Sequence, residues 1–300
     1  MKWLITGGTG LLGTALVAEG RKRGVDIFSA ARNRAPVTLD IRDDVAISRL
    51  IDDIRPDVVI NAAALTSLDD CQRFPDLAYR INGRAAGALA VAAAEAGSYF
   101  VQISTDHFFT GDGNARHGED APVTLVNEYA RSKYVGEQLA LTNRDALVVR
   151  CNFTGFGGQM DTPTFAEWAV DAITGKQPLS LFDDYYTSTI DAPALAVALA
   201  DIVAHKPRGI LNLAARDVAS KYDFIVALGR SLGDSDFAPT HGCVKDLATP
   251  RAESCGLDVA EAEALLGRRL PTLAEVTGAL AAQYGEQGCA IRHQLHNRRA

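Results

Sequence analysis

Short apolar runs alternate with amphipathic stretches along the first half of the chain. Trp3–Ile5, Asp26–Ala31, Asp57–Ala62 (opened by Pro56), Tyr99–Ser104 and Ala146–Arg150 are the apolar runs. They show little polar alternation, the mark of strands covered on both faces, as in parallel sheets. Leu11–Arg23, Arg42–Ile54, a long region ending near Ala96 and Glu128–Leu141 read as helices, with Gly24 and Gly97 as stops. Strands alternating with helices predict an α/β protein built on a doubly wound, Rossmann-type parallel sheet.

After Cys151 the texture changes, with fewer strands and more turn residues. Thr162–Thr174 and Ala192–Ala204 are predicted helical, and Ile210–Ala214 is one more buried strand. Ser220 is placed to cap a helix Lys221–Leu232, and Asp258 to start one through Leu266. The expected organisation is a first domain over 1–151 and a smaller C-terminal part over 152–286 covering the sheet ends, with 182–215 returning to the sheet. Residues 287–300 carry three arginines and two histidines without apolar periodicity and are expected to form a frayed tail.

Composition narrows the class. Hydrophobic residues make up 47% and charged residues 22%, ordinary for a globular chain of 300 residues. A net charge of -7 argues against nucleic acid as a partner, which calls for a basic face. Five scattered cysteines without a CxxC pair suggest neither a zinc site nor a disulfide framework, so no metal site and a reducing, cytoplasmic setting are expected. Met1–Ile5 runs straight into a glycine turn without a leader-like stretch. The longest apolar run, Ala85–Ala94, is too short for a bilayer, so no membrane partner is expected.

The glycine turn carries the first chemistry. Thr6–Gly13 reads TGGTGLLG, and Gly7, Gly10 and Gly13 share the spacing of dinucleotide-binding turns, as do Gly8, Gly10 and Gly13. A phosphate approaching backbone N–H groups tolerates no Cβ, and a helix N-terminus supplies partial positive charge. Gly7, Thr9, Gly10, Leu11, Leu12 and Gly13 are therefore the expected pyrophosphate cradle of NADP or NAD. After the second strand the chain shows Ala31-Arg32-Asn33, with no acid to bond a ribose 2′-OH; Arg32 suits a 2′-phosphate, which favours NADP. Asp40 and Ile41 suit the adenine amino group and ring, with helix capping by Asp40 as the alternative.

Tyr129 and Lys133 stand four apart on a predicted helix and so share a face. A lysine beside a phenol stabilises phenolate and lowers the tyrosine toward the working pH, as a general acid–base for a carbonyl requires.

The turn TGGTGLLG, the strand ending Asn61-Ala62-Ala63-Ala64, the segment Ser104-Thr105-Asp106 and Tyr129-xxx-Lys133 together resemble the extended short-chain dehydrogenases. QISTDHFFTGDG (Gln102–Gly113), NAAALTSLDDCQ (Asn61–Gln72), Gly175-Lys176, FDDYYTSTIDAPALA (Phe182–Ala196) and GILNLAA (Gly209–Ala215) resemble the dTDP-4-dehydrorhamnose reductase family in the same order, to about Leu270. The resemblance implies that Thr105 bonds the substrate carbonyl oxygen, Tyr129 is the general acid, and Lys133 holds the nicotinamide ribose. It implies that Ala62, Ala63 and Ala64 line the cofactor, Thr66 and Asp106 lie near the sugar, and Asn152, Phe153 and Arg251 contact the substrate. Arg251 would pair with the diphosphate, Asn152 would contact it, and Phe153 would stack on sugar or base. Loop bonding, packing or surface charge are the plainer alternatives for these residues.

Three features depart from that pattern: His107 where an aromatic is usual, Pro250-Arg251-Ala252 in place of Arg-Pro, and the glycine-rich 152–163. All lie in the substrate half. His107 is read as a loop histidine bonded to backbone, with proton relay as the alternative. The expected function is NAD(P)H-dependent reduction of a nucleotide-activated 4-keto-6-deoxy sugar, with a homodimer as a conceivable assembly. The rivals are a nucleotide-sugar epimerase or dehydratase and a non-catalytic NAD(P)-binding regulatory subunit. The lack of a Glu after Thr105-Asp106 speaks against a dehydratase.

Overall fold

Trp3 and Ile5 point to one face of a sheet and Leu4 to the other, so one strand feeds two cores. Trp3 and Ile5 pack with Val58, Ile60, Val101, Leu147 and Val149. Leu4 packs with Val59, Phe100, Val148, Ile47, Ile51 and Leu89. This is the period-two geometry of strands covered on both sides. The computed structural model describes residues 1–157 and 162–299, with side chains described as far as Glu286.

The sheet has seven parallel strands in the order Gly209–Asn212, Ala146–Arg150, Tyr99–Ile103, Val58–Asn61, Lys2–Thr6, Asp26–Ala31, Val37–Thr38. The order reverses between Lys2–Thr6 and Val58–Asn61. A crevice must open there at the carboxyl ends of the strands, where doubly wound sheets bind ligands. Polar side chains cluster at those ends. Thr6 Oγ1 donates to Asn61 Oδ1 at 2.6 Å, and Asn61 Nδ2 donates to Gln102 Oε1 at 2.8 Å.

Most helices fall where the pattern placed them: Leu11–Lys22, Asp44–Ile54, Glu128–Ala140, Phe165–Thr174, Ala192–His205, Lys221–Ser231 and Ala260–Leu266. Ser220 does cap Lys221–Ser231, accepting from Asp223 N at 3.0 Å. Asp258 sits two residues ahead of its helix and accepts from Ala260 N at 3.0 Å.

The long helical region before Ala96 is broken rather than continuous. Ser67 caps Leu68–Arg73, Phe74 leaves helical geometry with φ -130°, and Pro75 starts a new turn. A π-helical turn, Tyr79–Arg84, then leads into Ala85–Glu95. The wide turn has a visible partner: Asn82 is buried there and bonds across to the loop at Leu65.

The C-terminal part is held by short ladders. Phe153–Thr154 pairs with Ile190–Asp191, and Tyr186–Thr187 lies between Ala219–Ser220 and Ser254–Cys255. Ser180–Phe182 pairs with Thr240–Gly242. Of the stretch 182–215, Gly209–Asn212 joins the main sheet beside Ala146–Arg150. A final helix, Leu273–Arg299, was not read from the sequence. The expectation of a tail over 287–300 falls on residues whose side chains lie outside the described set.

Candidate active site

The glycine turn closes by a bond from Gly10 N to Gly7 O at 2.9 Å. Gly7 has φ +72°, and a Cβ there would lie 2.6 Å from Ala63 N. A Cβ on Gly13 would lie 2.1 Å from Gly7 O, so only glycine lets the helix start this close to the turn. The helix Leu11–Lys22 begins at Gly10 with no side-chain cap, leaving its first N–H groups free to receive a phosphate. These features fit a dinucleotide pyrophosphate.

Beside the turn lies a cavity of about 360 Å³ that brings together Gly7, Thr9, Gly10, Arg32, Asp40, Ile41 and Ala62–Ala64. Leu12 and Gly13 are buried behind it, so Leu12 packs in the core and both offer the cleft backbone only. Arg34 and Arg42 also line the cavity, which the sequence reading missed. Asp40 does not cap the next helix; Asp43 does, accepting from Val45 N and Ala46 N. Asp40 instead accepts from Arg42 Nε at 2.8 and 3.0 Å and pairs with its Nη2. That bonding holds the Asp40 carboxyl down to about 2.

The helix carrying Tyr129 and Lys133 starts at Asn127, whose side chain accepts from Ala130 N at 2.8 Å. A buried ion pair fixes its far end: Arg150 Nε and Nη2 meet the Glu137 carboxylate at 3.0 and 2.9 Å. Lys133 is 4% exposed and donates to Ile103 O at 2.7 Å; burial pulls its ammonium down to about 8. Thr105 follows the same strand and lies within reach of the Tyr129 phenol. The expectation that Lys133 lowers Tyr129 is corrected here. Burial raises the phenol above its ordinary value, and one of the lysine's three donors is bonded to the Ile103 carbonyl.

Around Thr105 runs a connected polar chain. Its hydroxyl meets Asp106 Oδ1 at 3.3 Å and accepts from His107 N at 3.2 Å. Asp106 Oδ2 accepts from Asn152 Nδ2 at 2.9 Å, and Asn152 Oδ1 accepts from Thr189 Oγ1 at 2.8 Å. Asp106 is 2% exposed, and desolvation pushes its carboxyl up to about 7. His107 is buried and held neutral, down to about 4, by desolvation. Its Nε2 faces Asn127 Nδ2 at 3.2 Å and Ala252 N at 3.4 Å. It is thus a packed histidine bonded to side chain and backbone.

Of the residues expected on the substrate side, Asn152 spends both ends of its amide inside the protein, and Phe153 packs against the main core. Thr66 is exposed on the loop after Ala64. Arg251 has a buried Nε without a hydrogen-bond partner among the described residues, a donor free for a ligand. Two further residues join the site unannounced. Lys221 places its ammonium 4.7 Å from the Phe165 ring centre and 5.4 Å from that of Tyr185. Asn82 bonds Leu65 N at 2.8 Å, Leu65 O at 3.0 Å and Ser132 Oγ at 3.0 Å, joining the Ala62–Ala64 loop to the helix Glu128–Ala140. Among the described residues, no cluster of three or more His, Cys, Asp or Glu is placed to hold a metal, and no helix is long and apolar enough to cross a membrane.

Known proteins share the sequence pattern and the fold. The probable low-salt glycan biosynthesis reductase Agl14 of Haloferax volcanii is 29% identical over 295 residues, 94% of this chain and 98% of that protein. The crystal structure of dTDP-4-dehydrorhamnose reductase from Yersinia enterocolitica superposes with a TM-score of 0.81 at 26% identity, covering 93% of this chain and 99% of that one. The dTDP-4-dehydrorhamnose reductase of Bacillus anthracis, solved in complex with NADP, has a TM-score of 0.84 at 24% identity, covering 94% and 98%. Residues 1–285 match the family described as the RmlD substrate binding domain, and the chain belongs to that family.

Proposed function

We propose that this protein is an NAD(P)H-dependent reductase of a nucleotide-activated 4-keto-6-deoxy sugar, acting on a substrate like dTDP-4-dehydrorhamnose in polysaccharide biosynthesis. The observation that carries the reading is the meeting of Thr105 and Tyr129 beside Lys133 at the carboxyl ends of the strands. The glycine-turn cavity opens on the same side of the sheet. The Haloferax volcanii relative is named a reductase of glycan biosynthesis, and two solved relatives are dTDP-4-dehydrorhamnose reductases.

Residues 1–151 would hold the dinucleotide and most of 152–286 the sugar nucleotide. The bound nicotinamide supplies the hydride. Thr105 and Tyr129 place their hydroxyls on the carbonyl oxygen, and Tyr129, protonated throughout the neutral range, gives it the proton. Lys133 holds the nicotinamide ribose. Arg32, with Arg34 and Arg42 in the same cavity, favours NADP over NAD. Asp106 lies by the sugar and Arg251 by its diphosphate, with Thr66, Asn152 and Phe153 at the rim. A cytoplasmic homodimer completes the reading.

The test is NADPH oxidation with dTDP-4-dehydrorhamnose, and with other 4-keto-sugar nucleotides, by the purified protein. Turnover supports the reading. Purified protein with tightly held, stoichiometric NAD and no net oxidation of NADPH would point to an epimerase instead.

A further inference from the structure

We propose that Asp106 is a positioning residue: it sets the direction of a hydrogen-bonded hydroxyl chain, Asp106–Thr105–Tyr129, and so decides whether Tyr129 aims its proton into the cleft. This rests on the reductase reading above.

The bonding around Asp106 leaves two arrangements. Asn152 Nδ2 already donates to Oδ2 at 2.9 Å, so a proton on the carboxyl belongs on Oδ1, which faces Thr105 Oγ1 at 3.3 Å. Thr105 Oγ1 also accepts from His107 N at 3.2 Å, which leaves the hydroxyl one further acceptor site and one proton. With Asp106 neutral, Oδ1–H donates to Thr105. The Thr105 proton then points to the phenol oxygen or the substrate carbonyl, and Tyr129 keeps its own proton for the cleft. With Asp106 ionised, Thr105 must donate to Oδ1. Its oxygen then draws the Tyr129 proton, and both hydroxyls point away from the substrate. One proton on Asp106 thus reverses the whole chain.

The carboxyl is poised for this. It is 2% exposed, and desolvation brings it up to about 7. The titratable groups facing it are Tyr129 from the catalytic helix, Cys151 after the strand Ala146–Arg150, Tyr185, Cys255 from Ser254–Cys255, and Lys221 at the start of Lys221–Ser231. Burial raises both phenols and both thiols, so they stay neutral at neutral pH. His107 next in the chain is neutral as well. Lys221 is the charge left to favour the carboxylate; Arg251 bears on Lys221 in turn. Its ammonium stands over the Phe165 and Tyr185 rings, whose faces attract the charge.

The experiment is kcat against pH, at saturating NADPH and keto-sugar nucleotide, for the wild type, Asp106→Asn and Lys221→Met. Asparagine mimics the neutral acid: its oxygen accepts from Asn152 and its amide donates to Thr105. Wild-type kcat should fall about tenfold to a lower plateau as pH rises through neutrality, the cost of one misdirected hydrogen bond. Asp106→Asn should lose the fall, its kcat staying level through neutrality whatever its absolute value, and Lys221→Met should move the fall to higher pH. A fall that persists in Asp106→Asn at the same midpoint belongs to another group, such as Lys133, and overturns the proposal; so does an unmoved midpoint in Lys221→Met. NADP(H) binding checks that both variants fold. A second readout needs no turnover: the infrared stretch of a protonated carboxyl should titrate near neutrality in the wild type and vanish in Asp106→Asn. Its absence from the wild type overturns the proposal, whereas a missing turnover with the band present overturns only the reductase reading.

Discussion

Lys133 is tied to the carbonyl oxygen of Ile103 by a 2.7 Å hydrogen bond, which joins the helix Glu128–Ala140 to the strand that precedes Thr105. The ammonium is buried, and its value is depressed from the ordinary lysine range to about 8. Below pH 8 it is protonated in both folded and unfolded chains, and the full desolvation penalty weighs on the fold. Between 8 and the unfolded value the unfolded chain binds more protons, so this contribution to stability improves as pH rises. Lys133→Met should therefore stabilise the ligand-free protein at neutral pH by about 1–3 kcal/mol after the lost bond to Ile103 is counted, and so raise its Tm. It should also abolish turnover. Thermal melts at pH 7 and pH 10 check both magnitude and sign: the gain should shrink at the higher pH.

Tyr129→Phe removes the proton donor and leaves the cofactor cavity intact. Turnover should fall about 10²–10⁴-fold, the usual worth of a positioned acid. NADPH binding, followed by fluorescence, should be unchanged.

Arg32 and Arg42 line the cofactor cavity, and Arg42 is paired with Asp40. Arg32→Ala combined with Arg42→Ala should raise KM for NADPH by about tenfold or more, since each charged hydrogen bond to a phosphate is worth about 1.5–3 kcal/mol. KM for NADH should move little, and the ratio of the two is the measurement. An equal rise for both cofactors would place these arginines away from the 2′-phosphate.

Glu137 and Arg150 are 0% and 3% exposed, and together they lock the helix Glu128–Ala140 to the sheet. Glu137→Ala leaves Arg150 buried and unpaired. It should cost about 3–5 kcal/mol in denaturant unfolding, whereas replacing both partners with apolar residues should cost less.

Asn82→Ala cuts three bonds, two from Asn82 to Leu65 after the Ala62–Ala64 loop and one to Ser132 on the helix Glu128–Ala140. Each orphaned buried group costs about 1–3 kcal/mol. The variant should unfold at lower denaturant and bind NADPH more weakly, because the loop loses its brace. Asn82→Asp, which keeps the bond from Leu65 N, should lie between the two.

The sheet was legible because its strands are continuous apolar runs. Asp26–Ala31 and Ala146–Arg150 have the bounds that their patterns gave. Gly7 and Gly13 were legible because backbone crowding leaves glycine no substitute there. The ladders of the C-terminal part were not, since two- or three-residue strands such as Tyr186–Thr187 carry no periodicity. Lys221 escaped notice because it reads as a solvated first-turn residue; only the fold sets it against Phe165 and Tyr185. Asn82 was hidden inside a helical pattern, and the π-turn that aims it inward leaves no mark on hydrophobic spacing. Arg42 was masked by its neighbour Asp40, the more suggestive residue of the pair.

The strand Gly209–Asn212 comes from the later half of the chain, yet it forms the sheet edge beside Ala146–Arg150. A gene cut after residue 151 would leave Ala146–Arg150 as a bare border, apolar from Ala146 to Val149 and ready to pair with a second copy. The nucleotide-binding half is therefore not a portable cassette. Recombination within this family must carry the far strand along, or it will yield chains that aggregate before they can be selected for a new sugar.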